Sequence, residues 1–133
     1  MNERLLSAAL RRAHHFKDIP YIIGGDLNIA PENSKAITLA QAAGWVTDIA
    51  KAWSEHGQEP PTTYRLGAVE QRMSGPGTTR IDAILANDPA KQIISHFDHA
   101  WELATGYDHV PLRIILNAEA FKQKIRVVEK LRT

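Results

Sequence analysis

The segment from Tyr21 to Asn28 most constrains what this chain can fold into. The apolar run Tyr21-Ile22-Ile23 ends in two glycines, and Asp26 and Asn28 follow at alternate positions. On an extended chain, residues two apart point to the same face, so these two side chains leave a buried strand together. Glycine permits a tight turn or the close approach of another group. The segment predicts either a site that holds a metal or positions a water, or an ordinary strand exit with Asp and Asn as turn residues.

Composition narrows the class of protein. The chain has 133 residues, of which 44% are hydrophobic, so we expect one domain spanning residues 1–133 with a real core. Sixteen basic and fifteen acidic residues give a net charge of +1, which indicates no general attraction to nucleic acid. The absence of cysteine excludes disulfides, thiolate metal sites and cysteine nucleophiles. No signal-peptide core or membrane-span-length apolar run occurs, so we expect an intracellular protein without membrane partners.

Hydrophobic periodicity predicts an α/β protein with a mixed sheet flanked by helices. Ser34 is a candidate N-cap, and Gly44 has the position of a C-terminal glycine. The predicted helices cover residues 3–17, 35–43 and 118–131, with a short helix within 48–53. The predicted strands cover residues 21–27, 62–66, 79–85, 93–97 and 110–116, with a further strand-like stretch at 100–103.

Two further polar features join Asp26 and Asn28. Asp82 lies inside the apolar strand 79–85, where a carboxylate is costly to bury without a partner. Arg80 is on the same face and offers an ion pair, whereas His109 offers a hydrogen bond with a chemical use. Asp108 and His109 are adjacent just before the last strand. A histidine oriented by a carboxylate can move a proton, and carboxylates with an amide can hold a divalent cation.

Four motifs in order resemble the endonuclease/exonuclease/phosphatase superfamily, the DNase-like metal-dependent phosphodiesterases. They are GGDLN (24–28), TTYR (62–65), RIDAIL (80–85) and YDHVPL (107–112), and they span nearly the whole chain. The resemblance implies the C-terminal half of a four-layer α/β/β/α sandwich. The stretch 118–133 would then be a helical extension beyond the family pattern. A flavodoxin-like binding module is disfavoured, because no phosphate-binding glycine loop precedes a helix.

The resemblance also implies a role for each matching residue. Asp26 would orient or deprotonate the attacking water, and Asn28 would donate a hydrogen bond to the phosphoryl oxygens. His109 would contact the scissile phosphate, while Asp82 would fix its tautomer. Asp26, Asn28 and Asp108 would surround a Mg²⁺ or Mn²⁺ ion. Phosphates of nucleic acid or of another phosphodiester would be contacted by Asn28, His109, Arg65, Arg72 and Arg80.

The chain departs from the family by matching only its second half. The family carries its principal metal-binding glutamate in an earlier half, and the nearest substitutes by type are Glu3, Glu32 and Glu55. We therefore expect a nuclease-like phosphodiesterase that is incomplete in this chain and binds metal weakly. An N-terminal half-domain or a second copy of the chain would complete it. The alternatives are a catalytically inactive remnant that acts by interaction, and a phosphatase or lipid phosphodiesterase of the same superfamily.

Overall fold

A three-stranded antiparallel sheet organises the molecule, with long helices on one face and a β-hairpin against the other. The computed structural model describes residues 3–67, 77–104, 107–117 and 119. Its helices are α1 (Glu3–His14), α2 (Lys35–Ala42), α3 (Ile49–Trp53) and α4 (Asp88–Ile93), with 3₁₀ turns at Pro31–Asn33 and Trp101–Leu103. Its strands are β1 (Ile22–Asp26), β2 (Thr47–Asp48), β3 (Tyr64–Arg65), β4 (Thr78–Thr79), β5 (Asp82–Ala86), β6 (Ile94–His99) and β7 (Leu112–Leu116).

The central sheet has the order β1-β5-β2, and two separate pairs, β3-β4 and β6-β7, complete the strand pairing. The register of β1 on β5 runs from Ile22 opposite Ala86 to Asp26 opposite Asp82. The α/β class is confirmed. Every strand pair among the described residues is antiparallel, whereas the sequence predicted a mixed sheet. Element order alone does not fix strand direction, because that depends on which strands become neighbours.

Alternation along β5 divides the core into two layers. Ala83 and Leu85 pack towards α1 and α2 in one apolar cluster, which also contains Leu6, Leu10, Leu27, Ile37, Ala40 and Val46. Ile84 and Ala86 belong to a second cluster with residues of α3, α4 and the β6-β7 hairpin. Successive side chains of a strand point to opposite faces, so a central strand buried on both sides is apolar at nearly every position. Asp82 is the first residue of this strand and belongs to neither apolar cluster.

The helix boundaries follow their capping residues. The Ser34 hydroxyl accepts a hydrogen bond from the Ile37 amide at 3.1 Å, as predicted for the N-cap of α2. Glu3 of α1 adds a second cap, because its carboxylate accepts from the amides of Lys35 at 3.2 Å and Ala36 at 3.1 Å. Gly44 has φ of 76°, the left-handed conformation that commonly follows a helix. The two helices against the sheet are thereby tied to each other at one end.

Several elements of the structure differ from the prediction. The predicted strand 79–85 is divided between β4 and β5, because the Thr63 hydroxyl accepts from the amides of both Ile81 and Asp82 in place of a strand partner. Residues 100–103 form a 3₁₀ turn rather than a strand. Helix α4 precedes β6 and was not predicted; its N-cap is Asn87.

Two predictions lie on residues outside the described ranges, namely most of the helix 118–131 and the phosphate contact of Arg72. Among the described helices, none has both the length and the apolarity needed to cross a lipid bilayer.

Candidate functional site

The register of the central sheet brings two of the predicted carboxylates together. Asp26 is the last residue of β1, Asp82 is the first residue of β5, and the two are paired across the strands. Gly25, just before Asp26, has φ of 143°, which residues with a side chain rarely adopt. Of the two glycines, it is thus Gly25 that the backbone requires, directly before Asp26 at the end of β1.

The imidazole of His109 forms a hydrogen bond with the carboxylate of Asp82. Its Nδ1 lies 2.9 Å from Oδ2 of Asp82, and because a carboxylate only accepts, Nδ1 carries the proton. The alternative partner of Asp82 was Arg80, but the Arg80 guanidinium pairs with Asp48 at 2.8 Å and with Glu32 at 3.0 Å. The expected Asp82–His109 hydrogen bond is therefore present, and the rival pairing is not among the described ion pairs.

The other imidazole nitrogen faces the second carboxylate. His109 Nε2 lies 3.7 Å from Oδ2 of Asp26, which is too long for a hydrogen bond and is an ion-pair distance when the ring is protonated. Asp26, Asp82 and His109 each offer a ligand atom within 4.8 Å of the others. The side chains of Asp26 and His109 are 40% and 34% exposed, against 15% for Asp82. The open side of this trio is thus formed by Asp26 and the Nε2 edge of His109.

Asn28 and Asp108 lie beside this trio. The Asn28 amide donates to Oδ1 of Asp26 at 2.9 Å, which fixes the carboxylate, and Asn28 itself has φ of 54°. A non-glycine residue in this left-handed region is uncommon, although Asn tolerates it best. Asp108 is exposed, its carbonyl oxygen accepts from the Arg65 amide at 3.0 Å, and its charge acts on His109. Asp26, Asp82 and His109 thus meet at one end of the sheet, and Asn28 and Asp108 are neighbours of this group.

A supporting segment from Thr63 to Arg65 holds both Asp82 and His109. Thr63 is fully buried, and its hydroxyl accepts from the Asp82 amide at 3.0 Å. Its carbonyl accepts from the Val110 amide at 2.8 Å, and the ring of Tyr64 lies 4.9 Å from that of His109. Sequence reasoning identified this segment only as a strand and a motif. A buried threonine beside an aromatic residue carries no local signal that it will bond a strand 19 residues away.

The carboxylates around His109 determine its protonation. The hydrogen bond to Asp82 raises the pKa of His109 above its ordinary value of 6.5, and the charges of Asp82, Asp26 and Asp108 raise it further against the opposing effect of burial. The imidazole is therefore cationic over a wider range near neutral pH than a free histidine. A cationic Nε2–H edge beside an exposed carboxylate suits contact with an anionic group.

The two predicted arginine contacts occupy different positions. Arg80 is only 5% exposed, and its guanidinium is engaged by Asp48 and Glu32, so it does not reach the open side of the site. This corrects the prediction that Arg80 contacts substrate. The reason is that β4 ends at Thr79 and β5 begins at Asp82, so positions 80 and 82 do not share one face of a continuous strand. Arg65 is half-buried next to Asp108 and stays a candidate phosphate contact.

The three glutamates named as substitutes for a metal ligand all lie elsewhere. Glu3 caps α2, Glu32 pairs with Arg80, and Glu55 lies in the loop after α3. Within the described ranges, the carboxylates grouped with His109 closely enough to share an ion are those of Asp26 and Asp82 alone.

An open groove of about 360 Å³ extends from the site along β1. Asp82 and His109 form its polar end, and glycines and apolar side chains form the rest, namely Ile22, Gly24, Gly25, Ala83, Ile84, Val110, Pro111 and Leu112. Ile22 keeps 37% of its surface exposed. In the described sheets, β1 is an edge strand, so one side of its backbone is unpaired.

Comparison of the chain with protein-family models, with curated proteins and with solved structures finds no match. The function is therefore inferred from the geometry of the site.

Proposed function

We propose that the site hydrolyses phosphodiesters, with a nucleic acid as the substrate class. The observation that supports this best is the alignment of Asp82, His109 and Asp26, in which Nδ1 is held at 2.9 Å and Nε2 faces a carboxylate at 3.7 Å. One carboxylate thus orients the imidazole, while the other is left exposed for a reactant. The order of the four motifs along the chain, as in the endonuclease/exonuclease/phosphatase superfamily, supports the same reaction.

The proposed role of each of the three side chains follows from its charge and its contacts. Asp26 is an exposed carboxylate that orients a water molecule and accepts its proton as the oxygen attacks phosphorus. His109, whose pKa is raised mainly by the hydrogen bond to Asp82, in its protonated form places Nε2–H against a non-bridging phosphoryl oxygen and stabilises the developing negative charge. Asp82 is a positioning residue, because it acts on the substrate only through the imidazole. The Asn28 side chain, beside Asp26, donates to the same phosphoryl group.

The donor set fits a weakly held divalent cation. The carboxylate of Asp26 is exposed, whereas Oδ2 of Asp82 and Nδ1 of His109 are already occupied by each other. Mg²⁺ prefers oxygen ligands and is usually bound by one or two carboxylates together with substrate phosphate. Asp26, with Asn28 and Asp108 beside it, would hold Mg²⁺ or Mn²⁺. When bound, such an ion neutralises charge on the phosphoryl oxygens.

We propose further that this chain contains part of a larger catalytic unit. All three candidate glutamates are engaged or located away from the site, so the metal would lack the principal glutamate ligand that the family resemblance implies. The groove beside β1 has an unpaired strand edge and exposed Ile22, features that suit the docking of another polypeptide. An N-terminal half-domain or a second copy of this chain would supply the missing ligand. Alone, the chain is expected to be a slow enzyme.

The test is hydrolysis of supercoiled plasmid and of bis(p-nitrophenyl) phosphate in Mg²⁺ or Mn²⁺, with the chain at high concentration. We expect slow, metal-dependent cleavage that falls at least a hundredfold in Asp26→Ala and in His109→Ala. Loss of one positioned acid–base group typically costs 10²–10⁴ in rate, that is, roughly 3–5 kcal/mol.

The matched control is His96→Ala. His96 is also an exposed histidine beside a carboxylate, with Nε2 3.6 Å from Oδ1 of Asp98, but it lies on the β6-β7 hairpin away from the site. Activity that survives Asp26→Ala and His109→Ala, or that falls equally in His96→Ala, would argue against the proposal. Absence of hydrolysis under every condition would favour a binding protein that retains the site without the reaction.

A further inference from the structure

A second cleft, of about 380 Å³, lies between the chain after α3 and the end of β6. Aromatic rings line it: Trp53, Phe97, His99 and Trp101. Two of the three tryptophans of the chain are therefore in this one cleft. It shares no lining residue with the groove beside His109, so it is a separate feature of the surface.

Three of the rings in the cleft are in contact with each other, and the fourth, Trp53, is exposed. His99 stacks on Trp101 with ring centroids 5.4 Å apart and planes 12° apart, and Phe97 meets His99 edge-on at 5.5 Å. Trp53 keeps 45% of its surface exposed. An indole exposed beside a fixed aromatic stack offers a large, negatively polarised face to a ligand.

Carboxylates surround these rings. Glu55, Glu59 and Asp98 line the cleft, and no Lys or Arg is among its lining residues. Asp98 is already paired with Arg113 at 2.6 Å. Across the part of the chain that the structure describes, no ion pair engages Glu55 or Glu59. The cleft therefore combines aromatic faces with at least two uncompensated negative charges, which attracts cations and repels the phosphates of nucleic acid.

We propose that this cleft binds a Lys or Arg side chain of a basic peptide segment in a partner protein. The aliphatic stem packs on Trp53, and the cationic head lies between the aromatic wall and the carboxylates of Glu55 and Glu59. Both parts of such a side chain match what the cleft offers, since its stem is apolar and its end is cationic. This interaction is independent of the hydrolytic site.

The test is a fluorescence titration in a Trp45→Phe background, in which the remaining tryptophans are those of the cleft. The probe is a hexapeptide of alternating Arg and Gly, and the control is its Glu-Gly counterpart. We expect saturable quenching by the basic peptide alone. The affinity for this peptide should be at least tenfold weaker in the double variant Trp101→Phe/Trp53→Ala and in the double variant Glu55→Gln/Glu59→Gln. Isothermal calorimetry gives the affinity where tryptophan has been removed.

The matched control is Asp18→Asn, which removes an exposed carboxylate after α1 that does not line this cleft, and it should leave binding unchanged. Circular dichroism establishes that every variant is folded. No saturable binding, equal binding of the acidic peptide, or full affinity without Glu55 and Glu59 would overturn the proposal. Binding of oligo(dT) in place of the basic peptide would overturn it as well.

Discussion

Arg80 and Asp48 form a buried ion pair between the strand interruption before β5 and the end of β2. Nη2 of Arg80 lies 2.8 Å from Oδ2 of Asp48, with 5% and 3% of the two side chains exposed. The same nitrogen reaches Glu32 at 3.0 Å, so the guanidinium ties β2 to the 3₁₀ turn that follows Asn28. Within the described residues, Nη1 of Arg80 and Oδ1 of Asp48 have no hydrogen-bond partner.

Arg80→Met should destabilise the fold by about 3–5 kcal/mol, because it leaves the Asp48 charge buried and unpaired. The measurement is the free energy of unfolding from urea titration. Arg113→Met is the matched control, since Arg113 also pairs with two carboxylates but on the exposed β6-β7 hairpin. Its effect should be far smaller. Equal losses in the two variants would contradict the structural role assigned to Arg80.

Asp82→Asn should lower the pKa of His109 towards 6.5, because the hydrogen bond to Asp82 is the first cause of its elevation. NMR titration of the imidazole protons measures this directly. The raised pKa in the folded state stabilises the protein below the unfolded value of 6.5, and this contribution is lost as pH rises through the folded pKa. The variant should therefore lose less stability over that interval than the parent chain. An unchanged His109 titration would show that Asp82 does not control the ring.

Gly25→Ala should cost about 1–3 kcal/mol, because φ of 143° is strained for any residue with a Cβ atom. Gly24→Ala is the matched control. A Cβ there would meet the Ala83 carbonyl oxygen and the Ile84 side chain at 3.5 Å, which is ordinary contact. Its stability should be unchanged or slightly higher. Thermal unfolding of both variants decides the matter, and similar melting temperatures would refute the special role of position 25.

Asn87→Ala should cost about 2–4 kcal/mol, since the substitution removes a helix cap and leaves buried backbone groups unpaired. The Asn87 side chain accepts from the amides of Ala90 at 3.1 Å and Tyr21 at 3.0 Å, and it donates to the Ile19 carbonyl at 2.8 Å. Asn33→Ala, at an exposed position, should change stability by less than about 0.5 kcal/mol. Comparable effects of the two substitutions on urea unfolding would argue against the proposal that Asn87 stabilises the fold by connecting α4 to residues 19–21.

Ile22→Lys should prevent association through the groove beside β1 without unfolding the chain, because Ile22 is partly exposed on an edge strand. If a second copy docks there, light scattering of the parent chain should show a concentration-dependent rise in mass that the variant lacks. Exposed Leu39 on α2 provides the control substitution, Leu39→Lys. A parent chain that stays monomeric at every concentration would exclude the second copy as the occupant.

The sequence was sufficient for the features that depend on local chemistry. Apolar spacing predicted α1 and α2, and the capping residue Ser34 and the turn residue Gly44 predicted where α2 begins and ends. The motif placed Asp26 and Asn28 close together, but not by strand alternation, because β1 ends at Asp26, Asn28 has φ of 54°, and its amide donates to the Asp26 carboxylate. Asp82 was recognisable because a carboxylate in an apolar strand requires a partner somewhere.

Only the tertiary structure decided which partner each charge takes. Arg80 and Asp82 are two apart, yet β4 ends at Thr79 and β5 begins at Asp82, so Arg80 meets Asp48 and Glu32 while Asp82 meets His109, 27 residues away. At this interruption the Thr63 hydroxyl accepts from the amides of Ile81 and Asp82, a contact between distant parts of the chain. Spacing along the sequence fixes the face of a side chain only within an unbroken strand. Which opposite charge lies on that face depends on long-range packing, because the cost of burying a charge selects the fold in which each one is paired.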